Sequence, residues 1–244
     1  MGARIVRRAG ETTRFSSSRN LACSESRMIS IHSIFIGKPE VITDASGRWE
    51  SSIFRKPVTG SIELGFNGLA GDQVTDRIHH GSPTQAVCVH PIEHYAYWNK
   101  HFGLEGAAKL GPGSVGENWT IDGGNENQVC VGDIFAVGSA EVQVTGPRGP
   151  CSKQERKLKL KGFLKKTIEN LRTGLYLRVV TPGRVQAGNE WKLCSRPNPW
   201  LTSHLINTCY YREANLEMVE RMLATPELED GWKIMLRQKF GVHP

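Results

Sequence analysis

Glycine and proline interrupt this chain so often that only short elements fit between the breaks. There are 26 glycines and 12 prolines, and most of the apolar runs between them have the length of strands. The run Ile29-Ser-Ile-His-Ser-Ile-Phe-Ile36 alternates apolar and polar residues, as a half-buried strand does. Gly37-Lys-Pro39 ends it, because proline offers no amide to a ladder. Short strand-like pieces follow within 51–76 and at 86–90, 118–121, 128–131, 133–137, 140–145, 175–180 and 191–194, while Thr181-Pro-Gly-Arg184 reads as a turn. Many short strands with regular turn signals predict a barrel or a sandwich. Helical patterning is confined to three regions. At 91–102, Pro91 suits a first helical turn and Tyr95 and Trp98 share a face. A second stretch covers about 162–171, and three short helices are expected near 199–210, 213–224 and 228–240. These last bury little core alone and should dock on the strands.

The resulting organisation is an N-terminal extension over 1–28, a β-rich domain over 29–196 and a small helical domain over 197–244. The extension is rich in Arg and Ser and poor in acids, the composition of an organellar transit peptide. A disordered tail, or an over-long gene model whose true start is Met28, is the preferred account. The expected location is cytoplasmic, or mitochondrial if the segment is a transit peptide. No apolar run approaches the ~20 residues of a membrane helix, so a soluble protein with no membrane partner is expected. Six cysteines without a C-x-x-C pair argue against a zinc ribbon or a disulfide framework and for reduced thiols. The formal net charge of +7 favours anionic partners. Zinc-finger and RNA-binding signatures are lacking, which disfavours nucleic acid against a phosphorylated small molecule.

Three literal motif matches fail on context. Gly111-Pro-Gly-Ser-Val-Gly116 fits G-x-G-x-x-G, but a helix precedes it and a strand follows, the reverse of a dinucleotide site. His90-Pro-Ile-Glu-His94 fits H-x-x-E-H, but Pro91 places His90 outside the regular helix, leaving a cap and a surface histidine. Asn118-Trp-Thr120 is a glycosylation sequon only in a secreted chain.

The most informative segment is Pro147-Arg-Gly-Pro-Cys151. Two prolines and a glycine make a constrained loop after a strand, able to present one side chain at small entropy cost. Arg148 and Lys153 flank the thiol, and positive charge stabilises the thiolate that binds metal or attacks. A buried cysteine of no chemical interest is the competing account, and the local sequence leaves both open. Two more segments concentrate glycine, acid, Arg and His: Gly68-Leu-Ala-Gly-Asp72 followed by Asp76-Arg-Ile-His-His-Gly81, and Gly116-Glu-Asn118. Glycines let backbone amides approach a ligand, and Arg or His can hold phosphate or polar ring edges. Equally, Asp72 could cap a turn, His80 could be structural, and Glu117 could pair with Arg77 at the surface.

Taken in order, a strand, G-L-x-G-D, H-H-G, C-V-H-P, G-E-N, G-D-I-F and P-R-x-P-C resemble the MOSC (molybdenum cofactor sulfurase C-terminal) family, in its YiiM-type subgroup. The resemblance covers about 29–196, and the three C-terminal helices resemble the small helical domain of that subgroup. It implies an α+β, mainly β fold: an antiparallel β-barrel holding molybdenum–molybdopterin in a cleft, followed by three helices. It places the metal ligand, and the catalytic role, on Cys151. Arg148, His80, Gly81, Glu117 and Asn118 are the implied cofactor-binding residues, with Asp72 and Arg77 as weaker ones. The implied activity is reduction of N-hydroxylated compounds, hydroxylamines and N-hydroxylated bases among them. No flavin, haem or iron–sulfur motif occurs in the chain, so an unidentified donor protein or a small reductant has to supply the electrons. One departure stands out. The family often continues H-G-G-x-x-R, whereas this chain has Gly81-Ser-Pro-Thr-Gln85, so Gln85 cannot supply the positive charge of a phosphate anchor.

Two other functions compete with the enzyme: a carrier of the cofactor or of sulfur on Cys151 without turnover, and a basic nucleic-acid-binding protein. The N-terminal segment has no strand or helix pattern. Deleting residues 1–27 should therefore leave soluble yield and cofactor content unchanged; loss of soluble protein would make the segment part of the fold.

Overall fold

The computed structural model describes residues 28–76 and 80–242. The extension over 1–27 and Arg77 thus lie outside the described residues. Short strands are spread along the chain up to Ser195: β1 (Ser30–Ile36), β2 (Glu40–Asp44), β3 (Gly47–Ser51), β4 (Lys56–Pro57), β5 (Ile62–Gly65), β6 (Gly68–Leu69), β7 (Val87–Pro91), β8 (Trp119–Asp122), β9 (Ile134–Val137), β10 (Ala140–Pro147), β11 (Leu175–Thr181), β12 (Gly183–Val185) and β13 (Trp191–Ser195). Helix α1 (Glu93–Phe102) links β7 to β8, α2 (Ser152–Leu158) and α3 (Phe163–Asn170) link β10 to β11, and α4 (Ser203–Tyr211), α5 (Leu216–Leu223) and α6 (Asp230–Phe240) follow β13.

Eight strands form one sheet in the order β13-β9-β10-β11-β7-β8-β1-β4. The sheet curls until Ser30, at the start of β1, bridges Glu190, just before β13. Ile31 N donates to Asn189 O at 2.9 Å and Trp191 N to Ile29 O at 2.8 Å, closing the curl at that end. Pairing is antiparallel except between β7 and β8, which run parallel. One parallel pair fits a mainly antiparallel barrel, and its cause is α1: a parallel pair needs a crossover, and the helix provides it. The barrel interior is aliphatic, with Val87, Val89, Ile121, Val142, Val144, Leu175 and Leu177 fully buried beside Trp119.

Expectation and structure differ in places, each with a local reason. The hairpin β2–β3 is an addition, turning through Asp44-Ala-Ser-Gly47, with Gly47 at φ 97° and Asp44 Oδ1 accepting Ser46 N at 2.8 Å. Helix α2 forms within the basic run that follows Cys151. Residues 128–131 contribute only a single bridge, Cys130 to Thr202, in place of a strand. The segment read as a turn at 181–184 ends β11 and enters β12, which pairs with β5. The C-terminal helices start later than their apolar patterns because capping side chains set the starts. Thr202 accepts Leu205 N, Asn215 accepts Met218 N, and Glu229 accepts Gly231 N and Trp232 N.

These three helices share a core of Leu201, Ile206, Val219, Met222, Leu228, Trp232 and Leu236, joined by Val131 from the strand region. They also grip the end of β10. Glu229 N donates to Thr145 O at 2.9 Å and Trp232 Nε1 to Pro147 O at 2.6 Å. Gly146 (φ 155°) allows this approach, since a Cβ there would lie 3.1 Å from Trp232 Cδ1. Trp232→Phe keeps most of the bulk but leaves the buried Pro147 carbonyl without its donor. The expected cost is about 1–3 kcal/mol, read from urea unfolding monitored by fluorescence and circular dichroism; an unchanged midpoint would remove this bond from the docking.

Candidate functional site

Where β10 ends, the backbone is fixed from both sides. Pro147 O accepts Trp232 Nε1, and Arg148 N donates to Gly174 O at 2.9 Å. Beyond Gly149-Pro150 the chain reaches Cys151 in an extended conformation (φ −126°, ψ 133°) and α2 begins. Cys151 N donates to Gln154 Oε1 at 3.2 Å, which sets the entry to the helix. The Cys151 side chain is half-buried and lines a cleft of about 390 Å³. Cofactor and small-molecule sites have this size, roughly 300–1,000 Å³.

Of the residues singled out in the sequence, the structure brings Cys151, Arg148, Asp72, Asn118, His80 and Gly81 to this cleft, together with Lys153 and Gln85. Glu117 is not on its surface. The Glu117 carboxylate is buried in the wall, where Oε1 accepts Tyr95 OH at 2.5 Å, Gly113 N at 2.7 Å and Thr120 OH at 2.7 Å. Burial and the adjacent Glu117 hold the Tyr95 hydroxyl well above its usual pKa, so it stays a donor. The expected surface pairing of Glu117 with Arg77 is replaced, on the Glu117 side, by these internal bonds.

Arg55 was not anticipated, since no motif surrounds it in the sequence. It lines the cleft and donates Nη1 to Gly116 O at 2.6 Å, Nε to Asp72 Oδ1 at 3.3 Å and Nη2 to Asp72 Oδ2 at 3.2 Å. Asp72 Oδ1 also accepts Gly37 N at 2.7 Å, and Oδ2 accepts Asn118 Nδ2 at 2.9 Å. Asn118 Oδ1 in turn accepts Cys88 N at 3.1 Å. Asp72 and Asn118 therefore hold the wall together, with their polar atoms already engaged. Gly116 shapes the same wall: at φ 75°, a Cβ there would meet Ile53 Cγ1 at 2.3 Å.

Arg148 behaves differently. It is 6% exposed, Nη2 donates to Val115 O at 3.0 Å, and Nη1 has no partner among the described residues. A buried guanidinium N–H without an acceptor is costly unless a ligand supplies one. Gln85 points its amide nitrogen at Glu229 Oε1 (3.0 Å), tying the cleft to the N-cap of α6. Cys88, a buried residue of β7, also lines the cleft; burial raises its thiol pKa and keeps it protonated. Below the floor, Lys157 donates to Ile53 O at 3.0 Å and Gly113 O at 2.8 Å, and burial draws its pKa down to about 8.

His90 and His94 form a separate buried cluster. His90 belongs to β7 rather than to a helix cap, and His94 is buried on α1 rather than exposed. His94 Nε2 lies 2.9 Å from Glu126 Oε2, and Arg172 Nη1 lies 3.1 Å from His94 Nδ1. Arginine can only donate, so Nδ1 is the acceptor and Nε2 carries the proton. Among the described residues no group of three His, Cys, Asp or Glu side chains is placed to hold a metal ion. None of the described helices is long and apolar enough to cross a membrane.

The MOSC domain family model matches residues 76–192. The protein YflK of Bacillus subtilis is 34% identical over 211 residues, spanning 86% of this chain and 94% of its own. The crystal structure of YiiM from Geobacillus stearothermophilus superposes with a TM-score of 0.72 at 31% identity, covering 86% of this chain and 98% of that one. A protein named "Reductase" from Gibberella moniliformis is 28% identical over 182 residues, which is 74% of this chain but only 32% of that protein.

Asp72 is the bond point of the cleft wall, and its removal tests that role. Asp72→Ala takes the counter-charge from the nearly buried Arg55 guanidinium, leaves Gly37 N without its acceptor and leaves Asn118 Nδ2 with Phe35 O alone. The expected destabilisation is about 3–5 kcal/mol, measured by chemical denaturation. A loss below about 1 kcal/mol, the size of a surface pair, would show that the wall does not depend on it.

Proposed function

Since the chain belongs to the MOSC domain family, as a YiiM-type member, we propose that it binds molybdenum–molybdopterin at Cys151 and reduces N-hydroxylated compounds, such as hydroxylamines and N-hydroxylated bases. The observation that carries this reading is the convergence, in one cofactor-sized cleft, of the half-buried Cys151 thiol and the unpartnered Nη1 of Arg148. The residues present fit the group. A soft sulfur donor suits a redox transition metal. With no cluster of further protein ligands among the described residues, a metal at Cys151 would bring donors of its own, as a pterin dithiolene does. When bound, this cofactor supplies a two-electron centre able to take oxygen from an N–O bond.

The chain's own residues have distinct tasks in this proposal. Cys151 is the protein ligand, held by the proline-constrained loop and its bonds to Trp232 and Gly174. Arg148 offers its free N–H to an anionic or carbonyl edge of the pterin. Lys153 adds a second cation on the cleft, and Gly81, with φ 83°, allows close approach of backbone to ligand. The wall built by Arg55, Asp72 and Asn118 fixes the distance between these groups. The name of the fungal relative, of which this chain matches about a third, supports a reductive role. Electrons would come from a donor protein.

The test is Cys151→Ser in protein loaded with cofactor. The volume change is small, and a hydroxyl that stays largely protonated replaces a soft thiolate. At equal molybdenum content, reduction of an N-hydroxylated substrate by chemically reduced protein should fall by orders of magnitude, while the exposed Cys194→Ser stays at wild-type rate. Near-normal turnover in Cys151→Ser would refute the ligand role. Loaded wild-type protein that reduces no N-hydroxylated compound would leave the carrier as the better reading.

A further inference from the structure

The basic run after Cys151 is not used by the cleft beyond Lys153, and the structure gives it a shape. Ser152, Glu155 and Arg156 of α2 and its C-cap Lys159 line an open groove of about 700 Å³. Their spacing is that of a single helical stripe. Lys161 and Leu164 continue the lining, and the 43–46 turn between β2 and β3 forms the opposite bank. The groove begins one residue from the Cys151 thiol. Its far end at Lys159 lies about 12 Å away, at roughly 1.5 Å per helical residue.

The charges in this groove are not balanced. Its two acids are engaged: Asp44 takes 2.6 and 2.7 Å bonds from Arg156, and Glu155 accepts Leu164 N at 3.0 Å. Lys159 and Lys161 are exposed, and their ammonium groups have no hydrogen bond or ion pair among the described residues. Of the seven bases in 151–166, Arg156 is paired with Asp44, Lys165 and Lys166 with Glu169, Lys157 is turned inward onto backbone carbonyls and Lys153 lines the cleft, which leaves Lys159 and Lys161 as the unpaired cations of the groove. Lys159 also sits at φ 54°, a left-handed position that glycine or asparagine would occupy with less strain.

We propose that this groove is the docking site of the electron donor, a redox protein whose cofactor is rimmed by carboxylates. The inference rests on the reductive reading above. Turning R–NHOH into R–NH2 and water breaks the N–O bond and consumes two electrons and two protons. The donor protein supplies the electrons, solvent supplies the protons, and the oxygen leaves as water. A cationic groove beside the metal ligand brings an acidic donor close to the redox centre, and electrostatic steering makes the encounter fast and salt-sensitive.

The experiment uses cofactor-loaded protein, phenylhydroxylamine as substrate and two reductants: dithionite, and a photoreduced acidic flavodoxin. The variant carries Lys159→Glu with Lys161→Glu; the control carries Lys100→Glu with Lys109→Glu, exposed positions outside the groove. Flavodoxin-supported turnover of the wild type should fall as salt rises. The groove variant should lose on the order of tenfold at low salt and respond little to salt, an effect of the size steering produces. With excess dithionite at high salt, all three proteins should agree within about twofold, because a small reductant reaches the cleft without docking and its own charge is screened. Equal flavodoxin rates in wild type and groove variant, or a wild-type rate insensitive to salt, would overturn the proposal. So would a single-stranded oligonucleotide that binds the wild type but not the variant while flavodoxin rates stay equal, which would assign the face to nucleic acid. Failure of the wild type with dithionite would instead bring down the reductive reading and the docking site with it.

Discussion

The carboxylate of Asp72 joins four parts of the chain that are far apart in sequence. It accepts Gly37 N after β1, the guanidinium of Arg55 and the amide of Asn118, and lies in the segment that follows β6. A nearly buried anion is tolerated only where cationic and N–H donors surround it. The donors it needs come from these separate segments, so satisfying Asp72 fixes how the cleft wall assembles. Asn118 passes the constraint on to β7 through Cys88 N, and Arg55 passes it to Gly116. The wall is rigid because its polar atoms are bound to one another, which leaves little for a ligand to claim there.

Ligand-directed capacity sits on the opposite side, on the loop after β10. There the backbone is anchored by Trp232 and Gly174, while Arg148 retains an unpartnered N–H and Cys151 a half-buried thiol. The C-terminal helices thus act on the site from behind: α6 holds the Pro147 carbonyl, and its N-cap Glu229 holds Gln85. Gln85 brings a neutral amide to the cleft, and Glu229 gives it a firm partner. Positive charge remains available from Arg148 and Lys153, both on the Cys151 loop and the turn after it.

Much of this was legible in the residues. The alternating run before Gly37 became β1, and Tyr95 with Trp98 became the buried face of α1. The constrained loop at Cys151 became the lip of a cleft. What was missed had weak local signals. Arg55 sits in no motif, and its role exists only because Asp72 and Gly116 fold against it. Cys88 reads as a strand residue in the sequence, and it is one; only the curl of the sheet turns that strand's end toward the cleft. His94 looked like a surface residue because nothing near it announces Glu126 and Arg172, which approach from distant loops.

The sequence by itself determined the inventory: short strands, because glycine and proline break every longer pattern, and a thiol flanked by cations in a stiff loop, because local chemistry and local backbone restriction are written in neighbouring residues. The tertiary structure alone decided which polar side chains face the ligand and which are consumed within the protein. Glu117, Asn118 and Asp72 look as available as Arg148 in the sequence. Asp72 and Asn118 have both side-chain polar atoms engaged by groups that long-range packing brings to them, and Glu117 has Oε1 engaged inside the wall. Arg148 Nη1, like Glu117 Oε2, is left without a partner among the described residues, but only Arg148 lines the cleft.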